Sequence, residues 1–384
     1  MRITRALPER DLTRGWDTAS VRNVPDSTTN VAPPASERAP RSAWSYAPRV
    51  LVSLAIAAGF VWIFRRGGLP LVPPPGTLGS LQVWAVPAYV LLVSIGIYFR
   101  VHRWVPLLRS IAPDVDAPRV VGIGLVGIAA IMFAPLRMGE AARPYLLGRD
   151  GKVSFFQALG AAGAERVVDG LVLTTVSSIA LLLSTPLSPL PDHLGTMPLP
   201  VSLIPRAIFL MTLVFIGAFI ALSVFFGARV FARRVVTALL NPISPKLTGF
   251  VTSTLERLAD GLKVLGSPGN RVRFFGETLL CWACQFVAQF LLMRGCGIPG
   301  TFAQAAVSLG VLGLGVIVPA GPGLFGAFQI GTYSGLALFF PLAILQSSGA
   351  AMVFVAYAVQ LSLMALSCAV GFWLLARYKP TSAR

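Results

Sequence analysis

The sequence predicts an all-α, polytopic integral membrane protein of about seven to nine membrane helices, some of them re-entrant or broken. Three observations carry that expectation. Hydrophobic residues make up 55% of the 384-residue chain and charged residues only 12%, with a mean hydropathy of +0.74. A soluble chain carries roughly 25% charge, so this one lacks the polar residues that a water-facing surface needs. The apolar residues gather into runs of helix length, and in lipid a helix satisfies its own backbone hydrogen bonds. Finally, Gly and Pro interrupt two of those runs.

The chain opens on different material. Residues 1–46 are polar, rich in Arg, Pro, Thr and Ser, and hold Glu9, Asp11, Asp17, Asp26 and Glu37. They lack apolar periodicity and are expected to be a disordered tail. The first apolar run starts near Val50, too far along for a secretory signal. The membrane domain is placed at 47–378, with a short C-terminal tail at 379–384.

Apolar runs follow at about 50–64, 82–99, 119–134, 155–183, 204–226, 274–293, 302–318, 330–345 and 350–376. A complete crossing takes roughly 20 residues, and 119–134 and 302–318 fall short of it. Loop charge orients the rest. The stretch 227–273 holds eight Lys and Arg against Glu256 and Asp260, whereas 184–203 holds no Lys or Arg. The first is therefore expected inside and the second outside. The basic N-tail, the loop Arg100–Arg119 and the C-terminal Arg377, Lys379 and Arg384 join the inner side, which places both termini in the cytoplasm. If 119–134 crossed fully, 155–183 would run the wrong way, so 119–134 is expected to dip in and turn back. Such backbone is tolerated only where protein or a water-filled cavity covers it. Within 227–273, Val251, Leu255, Leu258, Leu262 and Leu265 share one helical face. That helix either lies on the inner membrane surface or packs on the ends of other helices.

The two short runs resemble each other. Each is Gly-rich, stops at a Pro and carries Gly four positions later: Pro135 with Gly139, and Pro319 with Gly323, the second joined by Gly321, Pro322 and Gly326. A matched pair of interrupted segments, one in each half, is a pointer to a transporter site. Beside the first lie Arg137, Glu140 and Arg143, and further on Glu165, Arg166 and Asp169. Ionisable groups bordering apolar sequence are costly unless paired or wetted. They either lock helices together as ion pairs or bind substrate, with arginines gripping an anionic head group and carboxylates orienting them or binding an amine. Glu277, Gln285, Gln289 and Gln329 are candidates to line a cavity; Gln285 and Gln289 share a face. Cys281 and Cys284 form a CxxC inside an apolar helix and are read as packing, and the two histidines, His102 and His193, lie far apart. No metal site, no cofactor and no catalytic residue is expected. The excess of basic residues is read as membrane topology, not as nucleic-acid binding.

The block PLRMGEAARPYLLG followed by ERVVDGLVL, with the later PAGPGLFGAFQ, resembles the transmembrane region of the lysylphosphatidylglycerol synthase/flippase family. The resemblance covers about 47–378 and rests most firmly on Pro135, Arg137, Gly139, Glu140, Arg143, Glu165, Arg166 and Asp169. It implies a polytopic helical fold with re-entrant segments that moves lipid between leaflets of the cell membrane. Family members often carry Glu near Gln329, a departure that weakens a proton-coupling role there. The synthase domain of the full-length enzymes is not expected here, so the resemblance implies translocation without synthesis. An anionic membrane lipid is the expected ligand, and a second copy of the chain or a lipid-synthesis enzyme the expected protein partner. A lipid-modifying transferase and a non-catalytic partner of an envelope enzyme are the alternatives. No Walker A motif is present, so movement is expected to be downhill or ion-coupled.

Overall fold

The computed structural model describes residues 47–134, 139–197, 200–227, 229–242, 244–260, 268–317 and 320–378. The expected tails at 1–46 and 379–384 lie outside the described residues, as do Pro135, Arg137 and Pro319.

Among the described residues the regular structure is helical and no strand forms. In order, the helices are α1 (Ala47–Gly67), α2 (Ala85–His102), α3 (Trp104–Arg109), α4 (Ala117–Phe133), α5 (Ala142–Arg149), α6 (Phe155–Leu182), α7 (Ile204–Gly227), α8 (Arg229–Leu240), α9 (Pro245–Asp260), α10 (Pro268–Gly295), α11 (Phe302–Gly315), α12 (Ala327–Ala337), α13 (Leu342–Ile344) and α14 (Ala350–Arg377). Local sequence sets several of these ends. Ser154 and Gln157 form a reciprocal cap that opens α6, and Thr301 and Gln304 do the same for α11. Pro118 sits in the first turn of α4, where its missing N–H costs nothing.

Four stretches are long and apolar enough to cross a membrane: Ala85–Arg109, Val201–Val224, Pro268–Gly295 and Leu342–Arg377. Helix α6 has the length, at 28 residues, but carries Glu165, Arg166 and Asp169. Helices α4 and α11 are shorter, at 17 and 14 residues. At 1.5 Å per residue they reach only ~25 and ~21 Å, short of a ~30 Å hydrocarbon core.

Hydrogen bonds show which helix ends lie together. At one end, Arg119 in the first turn of α4 pairs with Asp150 just beyond α5, and its Nη1 donates to the Tyr378 carbonyl beyond α14 at 2.7 Å. There too Lys152 donates to the Asp114 carbonyl at 2.7 Å, and Asn270 Nδ2 to Ser110 Oγ at 2.9 Å. This is the basic end, with Arg109, Arg149, Arg271 and Arg377. At the other end, the Thr196 amide donates to Gly67, Gln82 to Gly295 and Leu187 to Leu338, at 2.8–3.0 Å. Gln346 also reaches the Gly68 carbonyl there, at 2.8 Å.

Two hairpins follow from these ties. Helix α4 starts, and α5 finishes, at the basic end, so 117–149 enters and leaves on one side. Helix α11 begins just past Gly295, and α12 finishes at Leu338, so this pair enters and leaves at the opposite end. The re-entry expected at 119–134 is present. The runs 302–318 and 330–345 are the two arms of a second hairpin of opposite direction.

Small residues permit both turns. A Cβ on Gly139 would come within 2.0 Å of the Ala130 carbonyl carbon, so only glycine lets the returning chain lie on α4. In the second hairpin Gly323 and Gly326 have φ of +73° and +90°, a region where a side chain is strained. Its arms touch backbone to backbone: a Cβ on Gly315 would lie 2.8 Å from Gly331 Cα, and one on Gly335 would lie 2.6 Å from Ser308 Cα.

The buried apolar residues form two clusters. The larger fills the bundle around Phe64, Val93, Trp282, Val311, Tyr333 and Met352. The smaller, around Trp104, Leu107, Leu108, Ile123, Leu147 and Phe274, sits towards the basic end. Helix α9 holds the first part of the predicted amphipathic segment and packs against α6 and α8, while Leu262 and Leu265 lie outside the described residues. The four cysteines are free thiols within or just beyond helices.

Candidate functional site

Arg103 sits at the junction of α2 and α3 and is fully buried. Its Nη1 and Nη2 donate to the two oxygens of Asp169, each at 2.7 Å. Nη2 also donates to Glu165 Oε1 at 2.6 Å, and Nη1 to Thr278 Oγ1 at 3.0 Å. One side chain thereby joins α2 and α3 to α6 and α10. The fork of a guanidinium matches a carboxylate in a way a lysine would not. Glu165 and Asp169 are four apart and so share one face of α6.

Two further groups complete the network. Arg143 of α5, also buried, donates from Nη1 to Glu165 Oε2 at 2.7 Å and lies 4.5 Å over the Trp104 ring. Trp282 of α10 donates its indole N–H to Asp169 Oδ1 at 2.9 Å. Burying such groups is costly unless each is paired and hydrogen-bonded, and this network meets most of that requirement. Two donors remain without a partner among the described residues, Nε of Arg103 and Nε of Arg143.

Beside the network is a cavity of about 130 Å³. Its polar lining is Arg100, Arg143, Arg166, Glu165, Asp169, Gln285 and Gln360, and its apolar lining includes Ile128, Met132 and Leu324. Ile128 and Met132 belong to the first hairpin, and Leu324 to the turn of the second. The tips of two hairpins from opposite ends thus meet at one polar cavity.

The sequence-predicted residues divide as follows. Arg143, Glu165, Arg166, Asp169 and Gln285 come together at the cavity. Glu140 is half-exposed and faces Arg166, with 3.9 Å between Oε1 and Nη2. Glu277 does not reach the cavity; it binds His102 Nδ1 at 2.9 Å and Arg273 Nε at 2.9 Å. Gln289 is buried, and its Nε2 has no partner among the described residues. Gln329 accepts the Gly326 amide at 2.8 Å and so caps the second hairpin's turn. Gly321 and Gly326 lie against Ala57 and Phe60 of α1, and Pro322 opens a single 3-10 turn.

Sequence reasoning missed Arg100, Arg103, Thr278, Trp282 and Gln360. The two arginines were counted as topology-setting charge of the loop after α2. The signal that marks them out is their flanks: Arg100, His102 and Arg103 lie between apolar Val86–Phe99 and the apolar Trp104–Leu108, with no polar loop on either side.

The model of the family described as the lysylphosphatidylglycerol synthase TM region matches residues 50–366, most of the chain. No curated protein matches, and no solved structure matches.

Proposed function

Because this chain belongs to the lysylphosphatidylglycerol synthase TM region family, we propose that it moves a lipid with a phosphate-bearing head group between the leaflets of a cell membrane. One observation carries the reading: arginines and glutamines line a cavity at the meeting point of two interrupted hairpins, inside an otherwise apolar bundle. Ionisable groups at such depth mark substrate paths by default, and paired broken segments of opposite direction mark transporter sites. In this reading Arg143 and Arg166, with Arg137, receive the head group. Glu165 and Asp169 hold the arginines in place, and the acyl chains stay in lipid. The basic end faces the cytoplasm, as loop charge favours.

The test is translocation of a fluorescent phospholipid in proteoliposomes containing the full chain. Wild type is expected to flip it well above protein-free vesicles, with Arg137→Ala and Arg143→Gln each lowering the rate roughly tenfold or more, the loss expected for one charge-assisted bond. Equal rates for wild type and both variants would sink the reading. A covalently altered lipid after incubation with donor and acceptor lipids would point instead to a transferase.

A further inference from the structure

Helix α7 delivers the chain to the basic end at Gly227, and α8 starts at Arg229. The 12 residues of α8 hold three arginines and no acid. They reach only ~18 Å, too short to cross a bilayer. No acid lies anywhere between Asp192 and Glu256. Helix α8 packs against α9, which packs in turn against α6. One face of α8 is left free, and it is apolar. Phe231 is 68% exposed, Val235 38% and Leu239 66%. Four residues advance a helix by about 40°, so these three, with the exposed Arg234 and Ala238, fall within an arc of about 140°. Thr237, outside that arc, is half-buried. In the amphipathic segment expected from sequence, by contrast, Val251 is half-buried on α9. Water does not suit the free face of α8, since a stripe of large apolar side chains is a patch that folded surfaces keep covered. Hydrocarbon does not suit the arginines. The boundary between the two suits both.

We propose that α8 lies in the head-group boundary at the basic end and docks on an anionic lipid surface. Phe231, Val235 and Leu239 enter the acyl boundary, and Arg234, at the border of the stripe, meets lipid phosphate. Position and charge both name this occupant. Helix α8 begins two residues after a crossing helix ends, so head groups are within reach. A helix with three arginines and no acid favours an anionic surface over a zwitterionic one. The docking belongs to the edge of the fold and does not depend on what the polar cavity carries.

The test places an environment-sensitive fluorophore on the full chain in a cysteine-free background. Ala238→Cys carries it on the free face and leaves the three apolar side chains in place, and Lys152→Cys, exposed at the same end, is the aqueous reference. The protein is reconstituted in vesicles of phosphatidylcholine alone or of phosphatidylcholine with phosphatidylglycerol. Iodide equilibrated across the bilayer reports access from water, and lipids spin-labelled on the acyl chain report contact with the boundary. In the mixed vesicles the Ala238 probe is expected to be quenched by the labelled lipid and shielded from iodide, and the Lys152 probe to behave the opposite way. Arg234→Gln is expected to lower the ratio of embedded to exposed α8 about fivefold, and Phe231→Ser roughly tenfold or more. Raising the salt should weaken attachment in the same direction with no substitution in α8, so the result does not hang on a variant that misfolds. An Ala238 probe as open to iodide as the Lys152 probe overturns the proposal. Equal shielding with and without phosphatidylglycerol, at low and high salt, overturns the anionic surface. Shielding that is lost on dilution to one copy per vesicle would make the stripe an interface between copies and overturn it as well.

Discussion

Arg103 has a demanding position, because it is fully buried and pairs with two acids at once. Replacing it with Gln takes one guanidinium bond from Glu165 and both from Asp169, and breaking a buried pair costs roughly 3–5 kcal/mol. Arg103→Gln is therefore expected to be much less stable in detergent than wild type by thermal unfolding. Adding Asp169→Asn should recover part of the loss, with a coupling of about 1–3 kcal/mol in the double-mutant cycle. Independent effects of the two substitutions would show that the pair is not a unit. At this scale the acids of α6 and Arg143 were legible, because charges within or bordering an apolar run demand an explanation. Arg103 was not, because a basic residue near the end of a span is ordinarily explained by orientation. Only the fold brings it 2.7 Å from an acid 66 positions away.

The elements show a sharper contrast between the two halves. The first hairpin follows from sequence because basic residues on both sides of 119–134 leave a full crossing nowhere to go. The second was not legible as a hairpin, for a physical reason: no charged residue lies between Arg294 and Arg377, so loop charge has nothing to say there. What holds its arms is the absence of side chains. Gly335→Val is expected to force α11 and α12 apart at Ser308, at a cost of roughly 1–3 kcal/mol for overpacking, read as a lower unfolding temperature. Gly163→Ala, where a Cβ meets nothing within 4 Å, serves as the control and should leave that temperature unchanged or slightly raised. Equal effects from both would remove the close-contact account.

Across the whole molecule, the hairpins leave α1, α2 with α3, α6, α7, α10 and the run from α13 into α14 as the described segments passing from end to end. An impermeant maleimide should test this in a cysteine-free background. Lys152→Cys and Asn270→Cys are expected to label from one side of the membrane, and Thr196→Cys and Gln346→Cys from the other. Labelling of Asp114→Cys and Lys152→Cys from opposite sides would mean that α4 crosses. The close fit of α11 on α12 has a mechanical side as well. With backbone against backbone at Gly315, Gly331 and Gly335, shear between the arms is blocked, since a slide of one residue would drive a side chain into a neighbouring Cα. Gly300 and Phe340 lie together at the base of the pair, and the 14 residues of α11 span ~21 Å from there. Any tilt of the pair about that base would therefore be felt at the far tip, where Leu324 lines the polar cavity.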